Sequence, residues 1–119
     1  MDSNLDIGRI EGKTVPYIWG DVTDIVELYG KKWLETVELD KILQQVVVGD
    51  VDLWVATDGN MLDVVGFCCW ERTGKYTHYH IMWMGGSGLA KYLREGLDKV
   101  EQYACLNGAS ELRFAARPG

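Results

Sequence analysis

The chain has 119 residues, 47% of them apolar, with five tryptophans and six tyrosines, which suits one folded domain and excludes both intrinsic disorder and two independent domains. A formal net charge of −6 argues against general binding to nucleic acid or anionic membrane, so any phosphate must meet local donors. The longest apolar runs, 46–48 and 64–70, fall far short of the roughly 20 residues that span a bilayer, and the polar start Met1-Asp2-Ser3-Asn4 leads into no apolar secretion segment; a cytoplasmic protein is expected.

In chain order, residues 7–14 read as a short first strand or an irregular tail, because Gly8 and Gly12 weaken the pattern, and the domain is drawn over 1–119 with 1–13 as that tail. After Pro16, the stretch 21–29 spaces Val22, Ile25, Val26 and Tyr29 as one face of a helix, with Asp21 as N-cap and Gly30 as stop. A second helix is predicted over 38–48, with Leu39, Ile42, Leu43 and Val46 on one face and Gly49 ending it. The period then drops to two. Val51, Leu53 and Val55 alternate up to the turn Asp58-Gly59-Asn60, and a second β-rich run covers 62–71, which together predict a hairpin.

The run at 76–84 predicts an interior strand, with Tyr76, His78, His80 and Met82 on one face and Thr77, Tyr79, Ile81 and Trp83 on the other. Gly85-Gly86-Ser87-Gly88 follows, then Leu89, Leu93, Leu97, Val100 and Ala104 at helical spacing, with Gly108 as the C′ residue. A last strand is predicted over 111–116. The fold class is α/β (α+β): a mixed sheet with an antiparallel hairpin, then strand, glycine turn, helix and parallel strand, and helices on both faces. Three cysteines form no closed disulfide framework. All three are read as buried, reduced thiols; adjacent Cys68 and Cys69 face opposite ways on a strand and, without a basic neighbour, are read as core residues rather than nucleophiles.

A strand that runs into glycines and then a helix can hold a phosphate: the backbone approaches closely, and free N–H groups and the positive helix end face the anion. Met84, Gly85, Gly86, Ser87, Gly88, Leu89, Ala90 and Lys91 make up this candidate site, Lys91 adding charge one turn in. The competing reading is a purely steric strand-to-helix turn. A P-loop is excluded because no Gly-Lys-Ser/Thr follows, and a dinucleotide fingerprint because the turn comes late, after an antiparallel hairpin.

The order of hairpin, strand, glycine turn, long helix and strand resembles the GNAT N-acetyltransferase superfamily. Gly88-Leu89-Ala90 matches the second half of that family's [QR]-x-x-G-x-[GA] turn, Leu93 its following apolar position, and Val55-Ala56-Thr57-Asp58-Gly59 with Val64-Val65-Gly66-Phe67 its second and third strands. Gly85 stands where the family has Gln or Arg. In texture the chain is also similar to short GNAT-like proteins of bacteriophages, which share the Arg117-Pro118-Gly119 ending. The resemblance covers about residues 14–118 and implies acetyl-CoA as cosubstrate, with its pyrophosphate on the backbone N–H groups of Gly86, Gly88, Leu89 and Ala90, and an amine acceptor. It also implies that the family's C-terminal helix and strands are absent, which leaves an open sheet edge for a second copy, another protein or a virion partner.

In the family a base deprotonates the amine and an acid protonates the departing thiolate. His80 and His78 are the candidate bases; the family's acid is a Tyr of its fourth helix, which this chain lacks, and Tyr79, Tyr76 and Tyr92 are the candidate substitutes, none of them selected by the sequence. No Cys, Asp or Glu stands at ligand spacing beside His-x-His, so no metal is expected. Five tryptophans exceed what a small core needs, which suggests that some face a partner. Two functions follow from the resemblance: a direct acetyl transfer to an amine, or a GNAT-shaped interaction protein without catalysis.

Overall fold

The computed structural model describes residues 5–114. Residues 1–4 and 115–119, including the Arg117-Pro118-Gly119 ending and the last two residues of the predicted final strand, lie outside the described residues. Among the described residues five strands form one sheet in the order β1 (Leu5–Ile10), β2 (Val51–Asp58), β3 (Met61–Thr73), β4 (Tyr76–Gly85) and β5 (Glu111–Phe114). The pairings are antiparallel except β4 with β5, which is parallel and registers His78 with Glu111 through Ile81 with Phe114.

Among the described residues three α-helices cover this sheet on two faces. Helices α1 (Val15–Tyr29) and α2 (Leu39–Val48) pack Val15, Val22, Val26, Ile42 and Val46 on the inward residues Val51, Leu53, Val55, Val65 and Phe67. On the opposite face α3 (Leu89–Leu106) sets Val100 and Ala104 against Trp54, Cys68, Tyr79 and Ile81. Alternation along β2 and β3 therefore feeds both layers, as period two requires of a doubly covered sheet.

Three expectations are corrected. Of the two readings of the first segment the strand holds, over Leu5–Ile10 rather than 7–14, and the tail over 1–13 does not: glycine weakens the strand locally, but pairing with β2 along its whole length supplies the hydrogen bonds. Helix α1 begins at Val15, six residues before the predicted start, so Asp21 lies inside it rather than capping it. Pro16 sits in its first turn, where a missing N–H costs nothing, and the true stripe is Val15, Ile18, Trp19, Val22, Ile25 and Val26, with Tyr29 left 47% exposed.

The third correction concerns β4. Phe67 registers with Trp83 but Cys68 with Ile81, so Met82 is a bulge residue and the alternation shifts there. Trp83 consequently packs with Met82 on the α1/α2 side, whereas Tyr79 and Ile81 face α3. The tryptophans are not surface residues either. All five are buried or half-buried, with Trp33 stacked on Trp83 at 5.4 Å and Trp70 against Tyr79 at 4.6 Å.

Candidate functional site

The turn between β4 and α3 is held down by its neighbours. Asp63, an extra residue where β3 slips in register against β2, accepts the Gly88 N–H on its carbonyl at 3.3 Å, and Gly86 accepts the Leu89 N–H at 3.2 Å. Gly86 has φ 142°, and a Cβ there would lie 2.1 Å from the Asp63 carbonyl oxygen. At Gly88 a Cβ would meet the Tyr92 ring at 2.7 Å, and at Gly85 the Trp83 ring at 2.6 Å. Each of these glycines is thus required by close packing against this chain's own atoms. Gly85 is also the last residue of β4, so the turn itself is Gly86 to Gly88.

Of the four N–H groups expected to face a phosphate, those of Gly88 and Leu89 are therefore already committed. Among the described residues the N–H groups of Gly86, Ser87 and Ala90 have no backbone acceptor, and Ser87 and Ala90 are exposed. They lie at the positive end of an 18-residue helix, where backbone donors are available to an anion. Lys91 does not point to it as a free cation. Its Nζ donates to Asp58 Oδ2 at 3.1 Å, which raises its pKa, and it also lies 5.2 Å from the centre of the Tyr92 ring.

The predicted catalytic residues divide between the two faces of the sheet. His78 and His80 share the α1/α2 side with their register partners Glu71 and Cys69 on β3 and Glu111 and Arg113 on β5. His78 Nδ1 lies 3.5 Å from Glu111 Oε2 and His80 Nδ1 3.5 Å from Glu71 Oε1. Neither approach is a hydrogen bond, and both Nδ1 atoms are buried without a hydrogen-bond partner among the described residues. The His78 side chain is 8% exposed and that of His80 19%, so His80 is the more accessible of the two imidazoles.

Tyr79 is on the other face and fully buried. Its hydroxyl donates to Asp52 Oδ2 at 2.5 Å and accepts from Trp54 Nε1 at 3.0 Å. Burial, above all, drives its pKa up, and Cys68 and the hydrogen bond to Asp52 add to this. It lies across the sheet from His80, as the hub of a core network. Tyr92 is similarly occupied, donating to the Thr57 carbonyl at 3.2 Å, whereas Tyr76 is 59% exposed. Asp52, Asp58, Asp63 and Glu71 were absent from the sequence-based site because their partners lie 9–33 positions away. The only local trace of Asp63 is an acidic residue inside an apolar strand.

No protein-family model matches the sequence, and no curated protein sequence matches it. Solved structures do match. An aminoglycoside acetyltransferase from an uncultured soil metagenomic sample, in complex with sisomicin, superposes with a TM-score of 0.70 at 12% identity, over 96% of this chain and 78% of its own. A GNAT family acetyltransferase of Staphylococcus aureus gives 0.68 at 9% identity, over 97% and 88%. A predicted acetyltransferase of Clostridium acetobutylicum, solved with acetyl-CoA, gives 0.61 at 11% identity, over 94% and 80%.

The chain has the GNAT fold.

At these identities the shared property is the fold, and the chemistry has to be argued from this chain's own GNAT elements. Its turn offers the backbone N–H groups of Gly86, Ser87 and Ala90 as donors. It lacks both the side chain that the family's Gln or Arg would supply at Gly85 and a free Lys91. With the carboxylates of Asp58 and Asp63 close by, electrostatics favour a weaker hold on an anion than the GNAT turn pattern implies.

Proposed function

We propose that this GNAT domain binds acetyl-CoA at the Gly86 to Ala90 turn and transfers the acetyl group directly to an amine. The observation that carries this reading is the set of unpartnered N–H groups of Gly86, Ser87 and Ala90 at the start of α3, reached straight from a bulged β4. The bulge at Met82 interrupts the ladder just ahead of the turn, a place where a sheet redirects its backbone toward a ligand. His80, two residues before the bulge and partly open, removes the proton from the acceptor amine, directly or through water, as the C–N bond forms. The C–S bond of the thioester breaks, and CoA leaves as a thiolate that takes its proton from water. An amine that is cationic in water is drawn to a domain of net charge −6.

The reading is tested by calorimetry with acetyl-CoA on the wild type and on Ser87→Glu. Ser87 is exposed, and a carboxylate there is compatible with the positive end of α3, so the variant is expected to fold with unchanged stability. Its affinity for acetyl-CoA is expected to fall at least about tenfold, roughly 1.4 kcal/mol. If the folded wild type takes up no acetyl-CoA at millimolar concentration, the enzyme reading is lost. For the base, His80→Gln is expected to lower kcat about 100-fold with little change in KM for acetyl-CoA; an unchanged kcat would remove His80 from the mechanism.

A second reading is a GNAT-shaped interaction protein without catalysis. It is favoured by the pairing of Lys91 with Asp58 and by the Trp83 ring against Gly85, which together fill the cationic and polar places of the turn from within the chain. The same calorimetry separates the two.

A further inference from the structure

Between α3 and the sheet lies a cavity of about 60 Å3. It runs between Gly66 on β3 and Gly96 on α3, over Ile81 and Met84, and meets the surface beside Leu93, which is 40% exposed. The lining offers water no free polar partner: the Tyr92 hydroxyl is turned to Thr57 and the Trp54 N–H to Tyr79. A water there would lack the two to four hydrogen bonds it needs, so the space favours apolar atoms.

The two glycines facing this space are unlike those of the turn. A Cβ on Gly96 would meet nothing within 4 Å, and one on Gly66 would make ordinary contacts at 3.7 Å. Neither has a positive φ. Glycine in the middle of a helix costs about 1 kcal/mol against alanine, and inside a strand it also weakens the element. Nothing in the backbone or the packing requires glycine at either position. What their absent side chains preserve is the volume between them.

We propose that this cavity is a binding site for the end of a short aliphatic chain, inserted between α3 and the sheet beside Leu93. At about 30 Å3 for a water-sized group, the space accommodates about two or three carbons, with any polar head left at the surface. The site lies on the α3 face, opposite His78 and His80, and does not depend on acetyl-CoA.

Methyl-labelled protein titrated with hexanoate, and separately with xenon under pressure, tests the proposal. Saturable shifts of the Ile81, Leu97 and Val100 methyls are expected with both probes. Gly96→Leu, which fills the cavity, is expected to abolish them; if that variant does not fold, the Gly66→Ala/Gly96→Ala double variant provides the same test with two methyl groups. Gly96→Ala alone is expected to raise Tm by about 4 °C. Shifts that do not saturate, shifts that survive filling, a lowered Tm in Gly96→Ala, or xenon binding without hexanoate binding would each overturn the proposal, the last by showing a closed void.

Discussion

Gly86→Ala is expected to destabilise the domain by about 3 kcal/mol and lower Tm by about 12 °C. The backbone at Gly86 has φ 142°, which side chains rarely adopt, and the added methyl would lie 2.1 Å from the Asp63 carbonyl oxygen. That oxygen cannot simply retreat, because Asp63 sits at the register slip of β3 and its carbonyl also receives the Gly88 N–H. Relief requires α3 to lift from the sheet at its first turn, where Tyr92 packs with Ala56 and Val64. Ser87→Ala beside it is expected to change stability by less than about 0.5 kcal/mol. Thermal denaturation of both variants checks this, and a Gly86→Ala loss below about 1 kcal/mol would show that the turn is free to move off Asp63. The result also bears on function. A weakened acetyl-CoA affinity in Gly86→Ala would report a displaced helix, which is why Ser87→Glu is the cleaner probe of the anion site.

Tyr79→Phe is expected to cost about 2–3 kcal/mol, near 10 °C in Tm, although it removes a single oxygen. The hydroxyl is donor to Asp52 and acceptor from Trp54, and its loss strands a carboxylate oxygen and an indole N–H in a site with little access to water. The substitution also changes the response to alkali. Burial raises the pKa of Tyr79 above its ordinary 10.0 and that of Cys68 above its ordinary 9.0, so the folded state keeps protons that the unfolded chain releases. This stabilisation is fully present below about pH 9 and is lost progressively as pH rises past the unfolded values. Urea denaturation from pH 7 to 11 should therefore show wild-type stability falling with pH, and Tyr79→Phe falling less steeply from its lower start. Parallel curves would remove Tyr79 as a source of the alkaline loss.

The elements read correctly from the sequence are those whose signals are local. Helix α2 carries an unbroken stripe of Leu39, Ile42, Leu43 and Val46 and ends at Gly49 with φ 93°; the β2–β3 hairpin turns at Gly59; α3 stops before Gly108 with φ 96°. The start of α1 was illegible because Pro16 and Gly20 break the local propensity, and only the contact of Val15, Ile18 and Trp19 with the sheet core outweighs them. Strand β1 likewise needed its partner.

For the site, residue types and spacing determined that a glycine turn joins a strand to a helix, that two histidines share one face of an interior strand, and that the order of elements is that of a GNAT domain. Only the tertiary structure decided what those residues have available. It gave Lys91 to Asp58 and Tyr79 to Asp52, committed two of the four N–H groups expected to face a phosphate to backbone carbonyls, and moved Trp83 across the sheet through one bulge residue. It also set Gly66 opposite Gly96 around an apolar space. Periodicity records which face a side chain occupies, whereas hydrogen-bond partners and voids arise between segments tens of residues apart, and no local pattern encodes them.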